Sequence, residues 1–272
     1  MALHLDAVGI CPAVLAVDPM TPSDETFERV ARAAAAAGFA EFSLWSFWPT
    51  AYGTDRARAL LDSFGIRVPV LEAATQWARG PAAAKDEAAG LVSVASELGA
   101  DMVASCVLEP VIDSWSDAVA GFATLCDAAG AAGLGVCIEF LPCTAIPDLA
   151  TAWRMVEESG ADNGGILVDM MHWHRQPGGP DFGLLEQIPG ARIPYVQVCD
   201  TATAPAMPDA YMDEALSARR LPGEGAVDIP RLLAALEATG ANPWFAYEVF
   251  SRELVATGPE AAARTLAACH VG

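Results

Sequence analysis

Residues 115–140 read WSDAVAGFATLCDAAGAAGLGVCIEF and hold one complete helix-to-strand unit. The stretch over 115–132 predicts a helix, and Gly133 stands where a helix C-terminal stop belongs. The apolar run over 135–141 then predicts a buried strand. A helix followed directly by an apolar strand is typical of βαβ units and a parallel sheet.

The same alternation recurs along the rest of the 272 residues. Strands are predicted near 5–10, 39–46, 67–73, 101–107, 135–141, 164–170, 193–199 and 244–250. Helices are predicted near 23–37, 54–64, 85–98, 115–132, 148–159, 181–188, 228–239 and 259–269. At about 34 residues per unit the repeats use the whole chain, so we expect one α/β domain over 1–272. Closure of right-handed units predicts a (β/α)₈ TIM barrel, and an open doubly wound sheet is the alternative.

Composition and charge exclude several classes of protein. A formal net charge of −20 would repel a phosphate backbone, so no nucleic-acid partner is expected. No run approaches the roughly 18 consecutive apolar residues of a membrane span, so no membrane partner is expected either. The first residues lack a basic region followed by an apolar stretch, which predicts a cytoplasmic protein. Seven cysteines without a CxxC pair argue against a disulfide framework or a thiolate zinc site.

Four consecutive predicted strands end in a polar side chain, at Glu139, Asp169, Gln197 and Glu248. Barrel enzymes carry their active sites at this end of the strands. Along each strand the polar residue alternates with large apolar neighbours that face the helices, so it is expected to point into the barrel. The four side chains are therefore predicted to converge at the C-terminal mouth.

The three carboxylates in this set would repel one another strongly without a positive charge between them. The ends of these strands carry no lysine or arginine, so a divalent cation is the predicted occupant. Carboxylate and amide oxygens suit Mn²⁺ or Mg²⁺, whereas zinc usually recruits imidazole or thiolate. We expect Mn²⁺ or Mg²⁺, with Co²⁺ and Zn²⁺ as alternatives.

Large aromatic and sulfur-containing residues follow two of the strands. They are Trp45, Phe47, Trp48, Tyr52, Met170, Met171 and Trp173. These side chains are predicted either to line an apolar mouth for a hydrophobic substrate group, with Trp45 in contact, or to pack loops or a subunit interface. His172, three residues beyond Asp169, is predicted to lie at the rim and contact the substrate.

The connection between Cys199 and Ile229 is far longer than the usual βα loop of about 2–6 residues. It contains the adjacent Arg219 and Arg220 and a Pro-Gly-Glu-Gly turn over 222–225. We predict a lid that closes over a ligand, and a tolerated surface excursion is the alternative. Arg175 and these two arginines are the candidate contacts for a phosphate or another substrate oxygen.

At these residues the sequence resembles the xylose isomerase-like TIM barrel superfamily, and within it the sugar phosphate isomerase/epimerase (hydroxypyruvate isomerase-like) group. The motifs that carry the resemblance are the Glu139 strand, Asp169-x-x-His172-x-x-Arg175, RLPGEG over 220–225 leading to Asp228, and YEVF over 247–250. The metal ligands that the resemblance implies are Glu139, Asp169, Gln197 and Glu248. It also implies that His172 and Arg220 contact substrate oxygens, and that Glu139 and Glu248 double as general acid and base.

The third ligand position separates branches of this superfamily. It is commonly histidine in ketose epimerases and glutamine in hydroxypyruvate isomerase-like members, and it is Gln197 here. The related endonuclease branch binds several zinc ions through many histidines, whereas this chain has four histidines. A role in DNA repair is therefore not expected.

The predicted function is that of a divalent-metal-dependent isomerase or epimerase of carbohydrate metabolism. Its small-molecule substrate is expected to be a sugar-like or glycoside-like α-hydroxyketone, from which a proton is removed to give a metal-stabilised enediolate. Loss of a β-hydroxyl from the same species would make the chain a dehydratase or lyase, which is the first alternative. The second is a non-catalytic ligand-binding or partner subunit. The Trp- and Met-rich segments are also compatible with a subunit interface, so a homodimer is a further prediction.

Overall fold

The computed structural model describes residues 3, 5, 7–205, 207 and 209–271. Its strands are β1 (Gly9–Ile10), β2 (Glu41–Trp45), β3 (Arg67–Ala74), β4 (Met102–Cys106), β5 (Gly135–Glu139), β6 (Gly164–Asp169), β7 (Tyr195–Val198) and β8 (Trp244–Tyr247). They form a closed barrel in chain order, each parallel to the next, with β8 pairing back to β1. This closure confirms the TIM barrel and excludes the open doubly wound sheet.

Helices surround the barrel. They are α1 (Asp24–Ala36), α2 (Phe47–Tyr52), α3 (Thr54–Phe64), α4 (Pro81–Leu98), α5 (Trp115–Ala131), α6 (Leu149–Ser159), α7 (Met170–Arg175), α8 (Phe182–Leu185), α9 (Tyr211–Ala215), α10 (Ile229–Ala238), α11 (Arg252–Ala256) and α12 (Pro259–Ala267). Short 3-10 helices cover Pro12–Leu15, Trp77–Arg79 and Gly190–Arg192. In the described part of the chain, no helix is both long enough and apolar enough to cross a membrane.

The predicted helices all have counterparts, and local capping explains several of their starts. Ser23, Asp148 and Asp228 each accept a hydrogen bond from the backbone N–H three residues on, which satisfies a donor that the helix leaves free. Four short helices, α2, α7, α9 and α11, were not predicted. The helix predicted near 181–188 ends at Leu185, and Pro189 further on disfavours helical backbone at the residue before it.

The strands separate two layers of side chains. The barrel interior contains a small apolar cluster of Val70, Ala104, Cys137, Leu167, Tyr195 and Ala246. A larger cluster between strands and helices contains the residues that alternate with them, such as Val136, Ile138 and Val168. Alternation along a strand therefore sets direction, and a residue two positions beyond an inner-layer residue also points inward. All seven cysteines are free thiols.

The long insertion between β7 and α10 folds back onto the barrel through Asp200. The backbone of Asp200 pairs with Arg220 in an antiparallel bridge. Its carboxylate accepts backbone hydrogen bonds from Gly223 at 3.0 Å, Gly225 at 2.9 Å and Val227 at 3.0 Å. A Cβ at Gly225 would lie 2.2 Å from Asp200 Oδ1, so this close approach requires glycine. The Pro-Gly-Glu-Gly turn is thus tied to the strand end.

Candidate active site

Polar side chains form an inward-facing ring one step above the apolar inner layer. Each member of the ring lies two residues beyond a member of that layer. Four are on strands, Glu72 on β3, Glu139 on β5, Asp169 on β6 and Gln197 on β7, and Glu248 directly follows β8. Four of them are buried, and the Glu139 side chain is 15% exposed. The structure therefore brings together all four predicted metal ligands and adds Glu72.

A cavity of about 360 Å³ opens above this ring. Its polar floor is lined by Glu72, Glu139, His172, Arg219 and Glu248. Trp45, a predicted substrate contact, forms part of the wall. The cavity lies at the C-terminal ends of the strands, where barrel active sites are found.

His172 connects three parts of the site. Its Nε2 lies 3.2 Å from Oε1 of Glu139, and its Nδ1 lies 2.6 Å from the hydroxyl of Tyr211. Its backbone N–H donates to Oδ1 of Asp169 at 2.9 Å, because Asp169 caps the short helix α7. Ligand atoms of Glu139, Asp169 and His172 all lie within 4.8 Å of one another, close enough to share a metal ion. The imidazole predicted to contact substrate is therefore also within reach of a cation.

Arg219 comes from the insertion and supplies a positive charge to the floor. Its Nη1 donates to Oδ2 of Asp169, and its Nη2 lies 3.2 Å from Oε2 of Glu248. The guanidinium is buried, lies 5.5 Å from the ring centroid of Phe250, and donates through Nε to the carbonyl of Ala215 at 2.7 Å. The strand ends themselves lack a cationic side chain, but the fold brings one to them from a distant segment.

The two carboxylates that share Arg219 have opposite pKa shifts. Burial acts to raise the pKa of Asp169, but the charges of Arg219 and His172 and the backbone N–H of His172 outweigh it, so the pKa lies below its usual value. Burial also raises the pKa of Glu248, and there Arg219 is opposed by the charges of Glu72 and Glu139, so the pKa lies well above its usual range. Asp169 is held as an anion, whereas the surroundings of Glu248 favour a bound proton.

The side-chain amide of Gln197 has hydrogen-bond partners for its nitrogen, but none for its oxygen among the described residues. Its Nε2 donates to Oε1 of Glu248 at 3.0 Å and lies 3.4 Å from Oε1 of Glu72. Its Oε1 is buried and has no hydrogen-bond partner among the described residues. A buried acceptor without a partner costs about 1–3 kcal/mol. A donor set of carboxylates and an orphaned amide oxygen fits a divalent cation.

Glu72 is the site residue that the sequence interpretation missed. It lies on β3, two residues beyond Val70 and two before the strand ends at Ala74, and accepts a hydrogen bond from the hydroxyl of Tyr195 at 3.0 Å. Burial and the nearby charge of Glu139 raise its pKa to about 7. The signal in the sequence was a carboxylate that follows an apolar run, over 68–71, near the end of a predicted strand.

Two predicted substrate contacts lie elsewhere. Arg220 is exposed and donates to the carbonyl of Glu224 at 3.0 Å. Adjacent residues of an extended segment point to opposite sides, so the bridge that turns Arg220 outward turns Arg219 inward. Arg175 donates to the carbonyl of Ala202 at 2.7 Å and lies 3.3 Å from Oε1 of Glu214, and so holds the insertion. Neither Arg175 nor Arg220 is among the described residues that line the cavity.

The two alternatives given for the aromatic and sulfur-containing residues each describe some of them. Trp45 and Phe47 line the cavity, whereas five of the predicted residues are buried in the layer between strands and helices. Those five are Trp48, Tyr52, Met170, Met171 and Trp173. Short helices α2 and α7 follow β2 and β6 directly and turn these side chains away from the cavity. Their role in the described structure is packing.

Residues 31–269 match the family described as xylose isomerase-like TIM barrel. The chain belongs to this family. As a xylose isomerase-like TIM barrel it is similar to the inosose isomerase of Bacillus velezensis, with 29% identity over 131 residues, 47% of this chain and 44% of that protein. It is also similar to the 3-dehydroshikimate dehydratase of Pseudomonas putida, with 27% identity over 169 residues, 61% of this chain and 26% of that protein. The chain spans about half the length of the inosose isomerases that it matches.

Solved structures of xylose isomerase-like barrels share the fold along nearly the whole chain. The structure described as the IOLI protein with a binding zinc atom superposes with a TM-score of 0.79 at 20% identity, covering 96% of this chain and 95% of that one. The D-allulose 3-epimerase from Methylomonas sp. superposes with a TM-score of 0.71 at 19% identity, covering 100% and 94%. At these identities the likeness establishes the fold.

Proposed function

We propose that this chain is a divalent-metal-dependent isomerase or epimerase that acts on a sugar-like α-hydroxyketone. The observation that carries the proposal is the pair Glu139 and Glu248, which line the same cavity floor from β5 and from the end of β8. Isomerisation and epimerisation both need one group to remove a proton from the carbon beside the carbonyl and one to return it. The inosose isomerase and epimerase relatives support this class of reaction.

Glu139, Asp169, Gln197 and Glu248 would hold the cation. The orphaned Oε1 of Gln197 supports this assignment, since it is a buried acceptor that needs a positive partner. When bound, the cation would polarise the substrate carbonyl and stabilise negative charge on the enediolate oxygen. Mn²⁺ or Mg²⁺ suits these oxygen donors, and the imidazole of His172 within 4.8 Å of Glu139 and Asp169 keeps Zn²⁺ and Co²⁺ as alternatives.

The side chains of the chain itself move and hold the protons. Glu139 is oriented by Nε2 of His172, and Glu248 by Nε2 of Gln197. Glu139 is therefore held through one oxygen, whereas both oxygens of Glu248 have a partner, Nε2 of Gln197 at Oε1 and Nη2 of Arg219 at Oε2. Both residues line the cavity, as a general acid or base must. Arg219 also lines the floor and can donate to a substrate oxygen. The insertion that carries it helps to exclude water from the reacting carbon.

A dehydratase is the second candidate. It would begin with the same proton abstraction and end with loss of a β-hydroxyl, and the similarity to the 3-dehydroshikimate dehydratase of Pseudomonas putida favours it. The residues described above serve both outcomes, because the reactions separate only after the enediolate forms. A third possibility, a ligand-binding subunit without catalysis, would retain metal and ligand binding but no proton exchange.

The substrate is proposed to carry a hydrophobic group. Five of the large apolar side chains that are exposed in the described structure line this cavity, and we call them the apolar collar: Met20, Phe47, Leu108, Met212 and Leu216. Their exposed fractions lie between 37% and 57%. The collar surrounds a polar floor, which suits a ligand with a hydroxylated end and an apolar end. A homodimer and a cytoplasmic location remain predictions from the sequence.

The test is proton exchange with solvent. The protein, loaded with Mn²⁺, is incubated in D₂O with inosose, D-allulose or 3-dehydroshikimate, and the ketone is recovered for mass spectrometry. Deuterium uptake without loss of water indicates an isomerase or epimerase, and loss of water indicates a dehydratase. Glu139→Gln and Glu248→Gln are expected to abolish both. Exchange that persists in both variants would overturn the proposed proton transfer.

A further inference from the structure

The amide of Gln197 is held in one of its two possible orientations. Its nitrogen lies between two carboxylate oxygens, Oε1 of Glu248 at 3.0 Å and Oε1 of Glu72 at 3.4 Å. Oε1 of Glu72 also accepts a hydrogen bond from the hydroxyl of Tyr195, so it faces the amide as an acceptor. An amide turned by 180° would place its own oxygen against this acceptor, which repels. Glu72 therefore directs the nitrogen of the amide toward itself and the oxygen away.

Glu72 is itself fixed in place. The hydroxyl of Tyr195 donates to the same Oε1 at 3.0 Å. Tyr195 belongs to the apolar inner layer, is fully buried, and packs its ring 5.1 Å from the ring of Trp244. Its hydroxyl cannot turn to solvent without leaving that layer. A rigid aromatic residue below the ring of ligands thus anchors the carboxylate that contacts the amide.

Glu248 alone gives a weaker constraint on Gln197. Its second oxygen lies 3.2 Å from Nη2 of Arg219, and the proposed function asks the same residue to bind a cation and to transfer a proton. Glu72 makes hydrogen bonds with the side chains of Tyr195 and Gln197, and Ser43 also lies beside it. The proposed function gives Glu72 no part in binding the cation or in proton transfer, so its contact with Gln197 is expected to persist when Glu248 changes partners.

We propose that Glu72, anchored by Tyr195, is a positioning residue that keeps Oε1 of Gln197 facing the cation. The inference rests on the metal site of the proposed function, and it assigns a role to a carboxylate outside the predicted ligand set. Histidine ligands are commonly fixed by a carboxylate that accepts their second N–H, and here the N–H of an amide takes that place. Loss of such outer partners typically weakens metal affinity about 10–100-fold.

The experiment measures Mn²⁺ affinity by calorimetry in chelator-treated protein. Glu72→Met removes the acceptor at similar volume and is expected to weaken Mn²⁺ binding roughly 10-fold. Glu72→Gln keeps an acceptor oxygen but removes the charge, and is expected to stay within about 3-fold of the original protein. Tyr195→Phe removes only the anchoring hydroxyl and should fall between the two. It also keeps the test valid if Glu72→Met does not fold.

Co²⁺ provides a second readout that general destabilisation would not change. Rotation of the Gln197 amide alters the ligand set, so the visible absorption of bound Co²⁺ should change in Glu72→Met and not in Glu72→Gln. Equal Mn²⁺ affinity and an unchanged Co²⁺ spectrum in Glu72→Met and Tyr195→Phe would overturn the inference. Equal losses in Glu72→Gln and Glu72→Met would also overturn it, because charge rather than a hydrogen bond would then be responsible. Failure of the unmodified protein to bind Mn²⁺ would instead refute the proposed function.

Discussion

The guanidinium of Arg219 donates to the carboxylate of Asp169 in a buried ion pair between the long insertion and β6. The two residues are 50 positions apart in sequence. The insertion therefore contributes to the chemistry of the floor as well as covering it. The same arginine contacts Glu248, so the three residues form one electrostatic unit.

Removal of Arg219 should destabilise the metal-free protein. Arg219→Met would leave the buried Asp169 without its cation, and breaking a buried pair typically costs about 3–5 kcal/mol. Urea denaturation in the presence of chelator measures the loss. Arg220→Met, at the exposed adjacent position, is the matched control and should change stability by less than about 0.5 kcal/mol. Similar losses in both variants would contradict the inward placement of Arg219.

The metal-free protein should lose stability as the pH rises toward 7 because of Glu72. Burial, together with the charge of Glu139, raises the pKa of Glu72 from 4.5 to about 7. A group with a raised pKa binds more protons in the folded state than in the unfolded chain between these values, so its contribution is complete below pH 4.5 and is lost by about pH 7. A shift of this size corresponds to roughly 3 kcal/mol.

The measurement is a pair of urea denaturation series with chelator, for the unmodified protein and for Glu72→Gln. Between pH 4.5 and about 7, the free energy of unfolding of Glu72→Gln should rise relative to that of the unmodified protein. A constant difference would show that Glu72 titrates normally in the folded protein.

Arg175 should control the insertion. It donates to the hydroxyl of Thr201 at 3.1 Å and to the carbonyl of Ala202 at 2.7 Å, and Glu214 beside it accepts from the backbone of Met207 at 3.0 Å. Arg175→Leu should raise the rate of thermolysin cleavage within 200–228 by on the order of 10-fold, because local opening becomes easier. Arg58→Leu, which removes an exposed pair with Asp62, is the control. Cleavage that starts outside the insertion would contradict this role.

The apolar collar should discriminate between ligands with and without an aromatic group. Calorimetry is expected to find tighter binding of 4-nitrophenyl glycosides than of methyl glycosides. Leu216→Ser should reduce this preference roughly 10-fold, the value of one large apolar contact. Val111→Ser changes an apolar residue of high exposure that lines a different pocket, and should leave the preference unchanged. An unchanged preference in Leu216→Ser, with self-association lost, would identify the collar as a subunit interface.

The sequence predicted the barrel because hydrophobic periodicity and the residues that end helices are local features of a sequence. Strands such as β5 and β6 are short, apolar and bounded by helix stops, so their number and order could be counted. Inward direction follows from alternation alone, which is why Glu139 and Asp169 were located without any tertiary information.

Tertiary relationships explain what the sequence interpretation missed. Whether Arg219 or Arg220 faces the cavity depends on the pairing of Arg220 with Asp200, and no local pattern encodes that partner. Trp48 was predicted as a candidate for the mouth, but its indole donates to the carbonyl of Pro19 at 2.9 Å and its ring packs against Phe27. Glu72 is a different case, since the strand-end rule that found Glu139 would have found it too.

The central claim is that a divalent cation binds among Glu139, Asp169, Gln197 and Glu248. Titration of chelator-treated protein with Mn²⁺, followed by the electron paramagnetic resonance signal of the free ion, tests it most directly. The expected result is about one Mn²⁺ bound per chain in the unmodified protein, with binding lost in Asp169→Asn. Folded protein that binds no Mn²⁺, or that binds it equally well in Asp169→Asn, would contradict the claim.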